Sequence, residues 1–453
     1  MYNLDTWLMS PERVRELFMM TSEGKDIAVI EGAMGLYDGG MNSTAEIAKL
    51  LHAPVIAVLN AKSVGETAAS IALGLREYDR EINLVGVILN HAGSDSHVKI
   101  ISDSLERTGI KLFGAIKRND KLTIPERHLG LLPMNENMNY DFDSGRAVIE
   151  SCVDVDEVIR VSESSCETHG SLSSWPSVNH KAGVTAAEDE ALSSWPCVNH
   201  KAGVTAARDE ALSSWPFASH KERIAIARDE AFTFYYPESI ETLKRLGAEI
   251  IYFSPVHDEC IPKADGYVFG GGFPEIFARE LEANTSMRES VRMCASSGAC
   301  ILAECGGYMY LCDSLTDIAG KKYRMAGVIH CASFMTDKPV IGYIEARALS
   351  DNILCSEGDI IRGHEFHYSR VNQIDTFSLS ISRHKTGESY SDGHETHDSN
   401  FAFTMTRRRT GEAYSGGYSH GTILASYLHI NFFGNINLAE HFLSHIDINQ
   451  TSR

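Results

Sequence analysis

The sequence lacks several features that would assign it at once to a class of protein. Its 453 residues include ten cysteines but no C-x-x-C pair, which excludes the common zinc and dithiol redox motifs. No stretch approaches the roughly 18 consecutive apolar residues of a membrane-spanning helix. The chain also opens on MYNLDTWLMS rather than on a basic segment followed by an apolar one. We therefore expect a cytoplasmic protein with reduced thiols and no membrane partner.

Positive charge is also scarce. The chain has 41 Lys and Arg against 61 Asp and Glu, a formal net charge of −20, which argues against a nucleic acid or an anionic membrane surface as partner. Local basic pockets for anionic substrates remain open. The hydrophobic content of 43% is sufficient for globular cores, so a disordered or fibrous chain is excluded.

Short apolar runs alternate with segments of helical spacing in two parts of the chain. The first series, within 27–146, comprises IAVIEGAM, PVIAVLNA and LVGVILNH, and the second comprises RIAIA, AEIIYFS, DGYVFGGG and ACILAE between 223 and 304. Alternation of this kind predicts parallel sheets covered by helices. The fold class is therefore α/β, with two domains.

The boundary between the two domains falls in a tandem repeat with a period of 20 residues. Copies 171–190 and 191–210 match at 17 of 20 positions, whereas copy 211–230 drifts into RIAIARDE, which we interpret as a buried strand plus turn. Two extra copies are too few to form a solenoid, so we favour an expanded linker over a functional module. We predict domains at 1–146 and 221–440, a linker at 147–220 and a tail at 441–453.

A second duplication has a 24-residue offset. FSLSISRHKTGESYSDG (377–393) is echoed by FAFTMTRRRTGEAYSGG (401–417), and the Gly, Ser and Thr at its ends suit turns. We predict an exposed hairpin-like insertion over 377–417.

The segment most suggestive of chemistry is ACILAECGGYMYLCDSL (299–315). An apolar strand passes through Cys305 and two glycines directly into a helical pattern, which is the context of a nucleophile elbow. A thiol at a helix N-terminus also has its pKa lowered by the helix dipole. We expect Cys305 to be a nucleophile, although a buried structural cysteine is the alternative.

Such a nucleophile requires an oxyanion hole and a base. The backbone amides of Gly271 and Gly272, which follow the strand DGYVF, could meet a developing oxyanion together with that of Gly306. His429 lies at the end of the apolar run TILASYLH, where its imidazole could accept the thiol proton. Either feature alone would indicate only a turn or a core histidine.

Taken together, these motifs resemble the cobyrinate a,c-diamide synthase family, which includes the nickel-sirohydrochlorin a,c-diamide synthases. The matching segments occur in the order found in the family. In the second half they are GGGFPE, ECGGYMYL, RGHEFHYS (362–369) and ASYLH. In the first half they are NLDTW (3–7), VIEGAMGLYDGG (29–40) and IPERHLGLLP (124–133).

The resemblance implies a P-loop NTPase-like (dethiobiotin synthetase-like) domain followed by a class I glutamine amidotransferase-like domain. It implies Cys305 as nucleophile and His429 as base of a glutaminase whose ammonia amidates the a and c acetates of a tetrapyrrole, using ATP and Mg²⁺. The substrate would be cobyrinate or nickel-sirohydrochlorin, and a homodimer is an open alternative.

Several weaker assignments follow from the same resemblance. Glu31 follows the run IAVI and would hold Mg²⁺, while Asn90 follows LVGVIL and would read adenine. The pattern of His364, Glu365 and His367 would contact substrate or support the interface between domains; ligation of a metal by the two histidines is a rival role, but no third ligand lies at short range.

The chain departs from the family pattern in two places. The phosphate-binding pattern G-x-x-x-x-G-K-[ST] occurs nowhere, since Gly24–Asp26 and Gly320–Lys322 both fail it. We interpret this as a first domain that lacks its first strand and phosphate loop through N-terminal truncation, with a wrong start, a split gene or a decayed copy as alternatives. A glutaminase-only or synthetase-dead partner subunit is therefore the competing function. In addition, Asn431 stands where many relatives have the second histidine of His-x-His. No carboxylate can be assigned as the third member of a catalytic triad with Cys305 and His429.

Overall fold

The computed structural model describes residues 2–119, 122, 141–167, 221–373 and 400–451. The chain divides into two compact units. The first unit comprises Leu4–Thr6 and Val14–Pro216, and the second comprises Met1–Asn3, Trp7–Arg13 and Phe217–Arg453. The tandem repeats at 171–220, the first copy of the 24-residue duplication and the HLGLLP loop lie outside the described residues.

The first unit contains a parallel sheet with the strand order β1-β2-β3. The sheet forms because PVIAVLNA and LVGVILNH supply β-branched apolar runs. Serine side chains cap the helix that precedes the first strand (Ser43) and the helix between the second and third strands (Ser94). Both of these predicted strands are confirmed. The elements are α1 (Pro11–Ser22), α2 (Thr44–Leu51), β1 (Val55–Asn60), α3 (Thr67–Tyr78), β2 (Leu84–Ala92), α4 (Asp95–Thr108), β3 (Lys111–Lys117), α5 (Phe142–Cys152) and α6 (Val155–Glu167).

The first apolar run of this unit is not a strand, so our prediction for IAVIEGAM is wrong. Residues 27–34 are irregular, and Val29 is 87% exposed. Strand β1 pairs with β2 alone among the described strands, so the run has no neighbouring strand to hydrogen-bond. An apolar run becomes a strand only where its backbone groups find such partners.

Residues just past the predicted domain boundary are helical. Helix α5 ends at Cys152 and α6 covers Val155–Glu167, although we assigned 147–167 to the linker. Val153 forms a β-bridge with Gly114 of β3, and the backbone amide of Asp154 donates to the carbonyl of Phe113 at 2.8 Å. These contacts attach the segment to the sheet of the first unit.

The second unit is built on a six-stranded sheet with the order β14-β15-β7-β6-β4-β5, parallel except for β14. All four predicted strands of the second series are present. The elements are β4 (Arg223–Ala227), α7 (Pro237–Arg245), β5 (Glu249–Phe253), β6 (Gly266–Phe269), α8 (Ala278–Ala283), α9 (Thr285–Ser296), β7 (Cys300–Glu304), α10 (Gly306–Leu311), β14 (Tyr418–His420), β15 (Ile423–Ser426) and α11 (Ile436–Thr451).

Both faces of this sheet are buried, as the uninterrupted apolar runs predict. In β4 the isoleucines Ile224 and Ile226 enter one core, which also contains Phe442 of α11. The intervening alanine Ala225 enters the opposite core, together with Val291 of α9. Parallel strands covered on both sides place their carboxyl ends at one shared edge, which is where ligands bind in such sheets.

A second sheet of this unit has the order β13-β12-β10-β8-β9, with β11 also paired to β10. Its long pair, β10 and β11, is antiparallel and carries the RGHEFHYS motif. The strands are β8 (Cys312–Thr316), β9 (Lys322–Arg324), β10 (Ile329–Ala348), β11 (Ile360–Gln373), β12 (Phe403–Arg407) and β13 (Ala413–Gly416).

The second copy of the 24-residue duplication belongs to that sheet. It forms the hairpin β12-β13, as predicted, and β12 pairs with β10. Phe403 and Met405 are each 1% exposed, however, so the prediction of an exposed insertion is wrong for this copy. The alternating apolar residues of FAFTM bury one face of the strand, and that burial integrates the hairpin.

Across the described ranges, no helix is both long enough and apolar enough to cross a membrane.

Candidate active site

Cys305 occupies a sharp turn between strand β7 and helix α10. Its backbone has φ 48° and ψ −100°, a positive φ that is uncommon for a residue with a side chain and costs conformational energy. The turn is held because the Cys305 amide donates to the carbonyl of Ser426 at 2.7 Å and the Cys305 carbonyl accepts from Met309 at 3.1 Å. The predicted strand-turn-helix context of this cysteine is present.

Glycines beside Cys305 allow α10 to lie against the strand next to β7. A Cβ on Gly307 would lie 2.1 Å from the carbonyl oxygen of Phe269, so no side chain fits there. The Gly307 amide donates to the carbonyl of Gly270 at 2.9 Å, which ties the helix start to the glycine turn after β6. The two glycine motifs of the sequence therefore meet in space.

Among the described residues, the glycine turn after β6 presents backbone amides without a backbone acceptor near the helix that begins after Cys305. The position that a Cβ would occupy on Gly306 lies 3.0 Å from the amide nitrogen of Gly272. Within the described part of the chain, neither of these two amides donates a hydrogen bond to another group. A Cβ on Gly271 would be 2.7 Å from Cε1 of His429. Gly272 therefore lies next to Gly306, and Gly271 lies against the predicted base.

His429 is buried next to Cys305. It lies three residues beyond the end of β15 and is held by a β-bridge to His364, with backbone hydrogen bonds of 2.9 and 3.2 Å. Burial lowers the pKa of His429. Electrostatic interaction with the Cys305 thiol and with the Glu304 carboxylate outweighs that effect and raises the pKa to about 10. The thiol itself lies 3.9 Å from the carbonyl oxygen of Phe366. The structure therefore brings the predicted base to the predicted nucleophile.

His364 backs the imidazole of His429. The two rings stack with centroids 4.9 Å apart, and the hydroxyl of Tyr236 contacts Nε2 of His364 at 2.5 Å. Burial, together with the neighbouring charge of His429, lowers the pKa of His364 to about 3, which keeps this ring neutral. His364 therefore packs as a neutral ring against the imidazole of the predicted base.

Glu365 and His367 alternate with His364 along β11 and have other partners. The Glu365 carboxylate accepts from Tyr414 at 2.5 Å and lies 3.7 Å from the guanidinium of Arg407, while burial raises the pKa of Glu365. The His367 ring stacks on Tyr427 at 3.8 Å, and its Nδ1 lies 2.8 Å from the carbonyl of Ser369. Burial lowers the pKa of His367 to about 4.

The two residues predicted to bind nucleotide and Mg²⁺ lie in the first unit. Asn90 lies in β2 beside Asn60 of β1, and its side-chain oxygen accepts from the amide of His91 at 2.9 Å. Glu31 is exposed in the irregular segment after residue 30. Among the residues that the structure describes, no three His, Cys, Asp or Glu side chains are placed to hold a metal ion.

Sequence reasoning missed two side chains of this site. The carboxylate of Glu304 lies 3.7 Å from Nδ1 of His429, and its position directly before Cys305 was a usable signal. Tyr236 contacts His364 across 128 residues of chain, and no local pattern marks it.

The NLDTW motif also contributes to the second unit. Trp7 is 8% exposed, and its indole nitrogen donates to the carbonyl of Gly363 at 3.1 Å. The guanidinium groups of Arg362 and Arg408 lie 4.6 and 4.7 Å from its ring. We had assigned residues 1–146 to the first domain, whereas Trp7–Arg13 belongs to the second unit.

The carboxyl group of Glu275, shortly after the glycine turn, gives the stability of the protein a pH dependence. Burial raises the pKa of Glu275 to about 7, so the folded protein retains a proton that the unfolded chain releases above about pH 4.5. The free energy of unfolding therefore falls as the pH rises from about 4.5 to about 7. We expect Glu275→Gln to stabilise the protein by about 2 kcal/mol more at pH 8 than at pH 5, measured by chemical denaturation.

The control for that measurement is Glu289→Gln, because Glu289 is exposed on α9. Its substitution should change the stability equally at both pH values. A gain from Glu275→Gln that does not depend on pH would contradict the prediction.

The fold and the site define a class. A buried Cys-His pair at the carboxyl edge of a doubly covered parallel sheet, with the backbone amides of a glycine turn near the helix that follows the cysteine, is the arrangement of a glutamine amidotransferase. In agreement, residues 223–436 match the CobB/CobQ-like glutamine amidotransferase domain, and residues 11–126 match an AAA domain.

Relatives identify the family. The chain is 38% identical to the cobyrinate a,c-diamide synthase of Picrophilus torridus, over 97% of this chain and 86% of that protein. It is 34% identical to the synthase of Caldanaerobacter subterraneus (95% and 83%) and 36% identical to that of Dehalococcoides mccartyi (98% and 86%). The chain belongs to the cobyrinate a,c-diamide synthase family, a family of amidating ligases, and the predicted resemblance is confirmed.

Proposed function

We propose that the second unit hydrolyses glutamine and that its ammonia amidates the a and c acetate carboxylates of cobyrinate in an ATP-dependent reaction of cobalamin biosynthesis. The observation that carries the glutaminase half is the strained turn at Cys305 beside the buried imidazole of His429, whose pKa is raised by interaction with the thiol and with Glu304. A surface cysteine or a structural core cysteine requires neither the positive φ nor the imidazole.

The first step is attack on glutamine. The Cys305 thiolate adds to the side-chain amide carbon, and the carbonyl oxygen becomes an oxyanion. The amides of Gly272 and Gly306, which lie next to each other and have no backbone acceptor among the described residues, would donate to that oxygen, with Gly271 in the same turn. The protonated His429 gives its proton to the leaving nitrogen, so ammonia departs and a glutamyl thioester remains.

The second step restores the thiol. Water attacks the thioester carbon, His429 accepts the proton from the water, and glutamate leaves as the thiolate is released. The raised pKa of His429 suits this cycle, because the imidazole must be protonated when ammonia leaves. His364 stays neutral and does not compete for that proton.

The acceptor is inferred from the relatives. The proteins named above are called cobyrinate a,c-diamide synthases, which favours cobyrinate over nickel-sirohydrochlorin, and hence cobalamin over coenzyme F430 biosynthesis. An ammonia-consuming ligase needs its carboxylates activated, and ATP supplies that chemistry when bound. His364, Glu365 and His367 serve the base and its surrounding strand in this proposal rather than the tetrapyrrole.

The described residues do not assemble a site that fits ATP and Mg²⁺. Glu31 is exposed in an irregular segment, and G-x-x-x-x-G-K-[ST] is absent from the sequence. The match of residues 11–126 to an AAA domain supports nucleotide binding by the first unit. The competing function is a glutaminase that relies on a partner for activation.

The decisive test of the glutaminase is the covalent intermediate. Incubation with radiolabelled glutamine followed by acid quench should leave label on the peptide that contains Cys305, and hydroxylamine should release it. Glutamate and ammonia should accumulate in equal amounts. Failure to form either the labelled peptide or glutamate would refute the proposal.

The two candidate functions differ in nucleotide binding. Calorimetry with ATP and Mg²⁺ on this chain should show saturable binding if the chain is a synthase in its own right, and amidated cobyrinate should form when glutamine is added. An absence of ATP binding together with intact glutaminase activity would assign the chain the glutaminase-only role.

A further inference from the structure

The base of the proposed glutaminase has a carboxylate partner that the sequence motifs do not assign. We propose that Glu304, the residue directly before the nucleophile, is the positioning residue that orients the His429 imidazole and stabilises its protonated form. The inference deepens the proposed function and rests on it. The geometry that carries it is an ion pair of 3.7 Å between Oε2 of Glu304 and Nδ1 of His429.

Both the backbone and the carboxylate of Glu304 are held in place by neighbouring elements. It is the last residue of β7, and its Cα lies in register with Ser426 at the end of β15. Its second carboxylate oxygen accepts from the backbone amide of Ile430 at 3.3 Å. One carboxylate thus contacts both the imidazole and the peptide that follows it, which fixes the ring relative to Cys305.

The residue nearest to His429 along the chain that could offer an oxygen is engaged elsewhere. The side-chain nitrogen of Asn431 donates to Glu238 at 2.9 Å, and its oxygen accepts from the amide of Gly434 at 2.9 Å. Oε1 of Glu238 is thereby engaged by Asn431. Among the described residues, the carboxylate that pairs with Nδ1 of His429 is that of Glu304.

The remaining ionisable groups around His429 do not duplicate this role. His364 is neutral and stacks on the ring, and the buried His367 is also neutral because its pKa is low. Glu365 is engaged by Tyr414 and Arg407. The Cys305 thiol is the reaction partner of the imidazole. Glu304 is therefore the carboxylate whose charge can favour the imidazolium without taking part in bond changes.

The matching arrangement in other cysteine and serine hydrolases has the same physical basis. A carboxylate at Nδ1 selects the tautomer that presents Nε2 to the nucleophile and stabilises the cation that forms. In those enzymes the carboxylate comes from a separate part of the chain. Here it comes from the residue adjacent to the nucleophile, because the turn at Cys305 sends consecutive side chains towards the same imidazole.

The test is Glu304→Gln, which removes the charge but keeps an oxygen for the amide of Ile430. We expect the kcat for glutamine hydrolysis to fall at least about 10-fold with the KM for glutamine changed less than about 3-fold, since Glu304 does not contact substrate in this proposal. The alkaline limb of the kcat/KM profile should shift by about one pH unit or more towards lower pH. Glu304→Asp should recover part of the activity.

A second measurement separates this inference from the proposed function. The imidazole of His429 can be titrated by NMR in histidine-labelled protein, with its signal identified by its loss in His429→Gln. Its midpoint should fall by about one unit or more in Glu304→Gln. This measurement requires no turnover, so it still tests Glu304 if the chain proves inactive towards glutamine.

The matched control is Glu249→Gln, which makes the same change at an exposed carboxylate of β5 that is paired with Arg223 at 3.4 Å. It should leave activity and the titration unchanged. An unchanged His429 midpoint in Glu304→Gln would overturn the inference. A loss of activity without a shift of either the midpoint or the alkaline limb would likewise assign Glu304 a purely structural role.

Discussion

Replacement of Cys305 by serine is expected to abolish glutamine-dependent amidation of the tetrapyrrole and to leave amidation with added ammonium salts intact. Serine keeps the size, but its hydroxyl is far less acidic and a much weaker nucleophile towards an amide. Glutamine hydrolysis should fall by a factor on the order of 10³ or more. The measurement compares product formation with glutamine and with ammonia as nitrogen donors.

The control for this experiment is Cys260→Ser, because Cys260 is an exposed free thiol outside the site. It should retain both activities. If Cys305→Ser lost both activities, the result would contradict the proposal that glutamine hydrolysis and amidation are separate reactions of this chain. Retention of glutamine hydrolysis would remove Cys305 from the mechanism.

Gly272→Ala is the second substitution with a large expected effect. The added Cβ would lie 2.0 Å from the carbonyl oxygen of Ala231, so the glycine turn must move. That movement carries the Gly272 amide away from the proposed oxyanion position, and loss of one such donor lowers kcat by about 10²- to 10³-fold. Overpacking should also cost about 1–3 kcal/mol of unfolding free energy. Glutaminase kinetics and denaturant titration measure the two effects.

Gly74→Ala provides the matched control, because a Cβ on Gly74 of helix α3 meets no atom within 4 Å. It should leave glutamine hydrolysis unchanged and should not destabilise the protein. If Gly272→Ala kept full kcat despite the predicted clash, the amide at 272 would have no part in binding the oxyanion.

The strand-turn-helix context of Cys305 could be predicted from local sequence because it lies in a distinctive local pattern. An apolar strand, a cysteine and two glycines specify a turn that only small neighbours permit, and the structure shows why, since a Cβ on Gly307 would meet the carbonyl of Phe269 at 2.1 Å. His429 was harder to assign, because a histidine near a strand end is usually a core residue. Its proximity to Cys305 depends on the pairing of β15 with β7.

Two wrong predictions, those for IAVI and for FAFTM, share one cause. The runs IAVI and FAFTM were assessed by their own composition, and the first turned out exposed while the second turned out buried. Whether an apolar run is covered depends on which strands or helices lie beside it. Those neighbours come from distant parts of the chain, and no local pattern specifies them.

The sequence alone determined the α/β class, four strands of the second unit, the strand-turn-helix context of Cys305 and the family. These properties depend on residue types and on short-range spacing, both of which can be read from the sequence. Only the tertiary structure decided which groups surround the thiol: the Glu304 ion pair, the stacked His364 with Tyr236, and the commitment of Asn431 to Glu238. These contacts join residues from separate strands and loops, and their distances are set by sheet register and packing rather than by spacing along the chain.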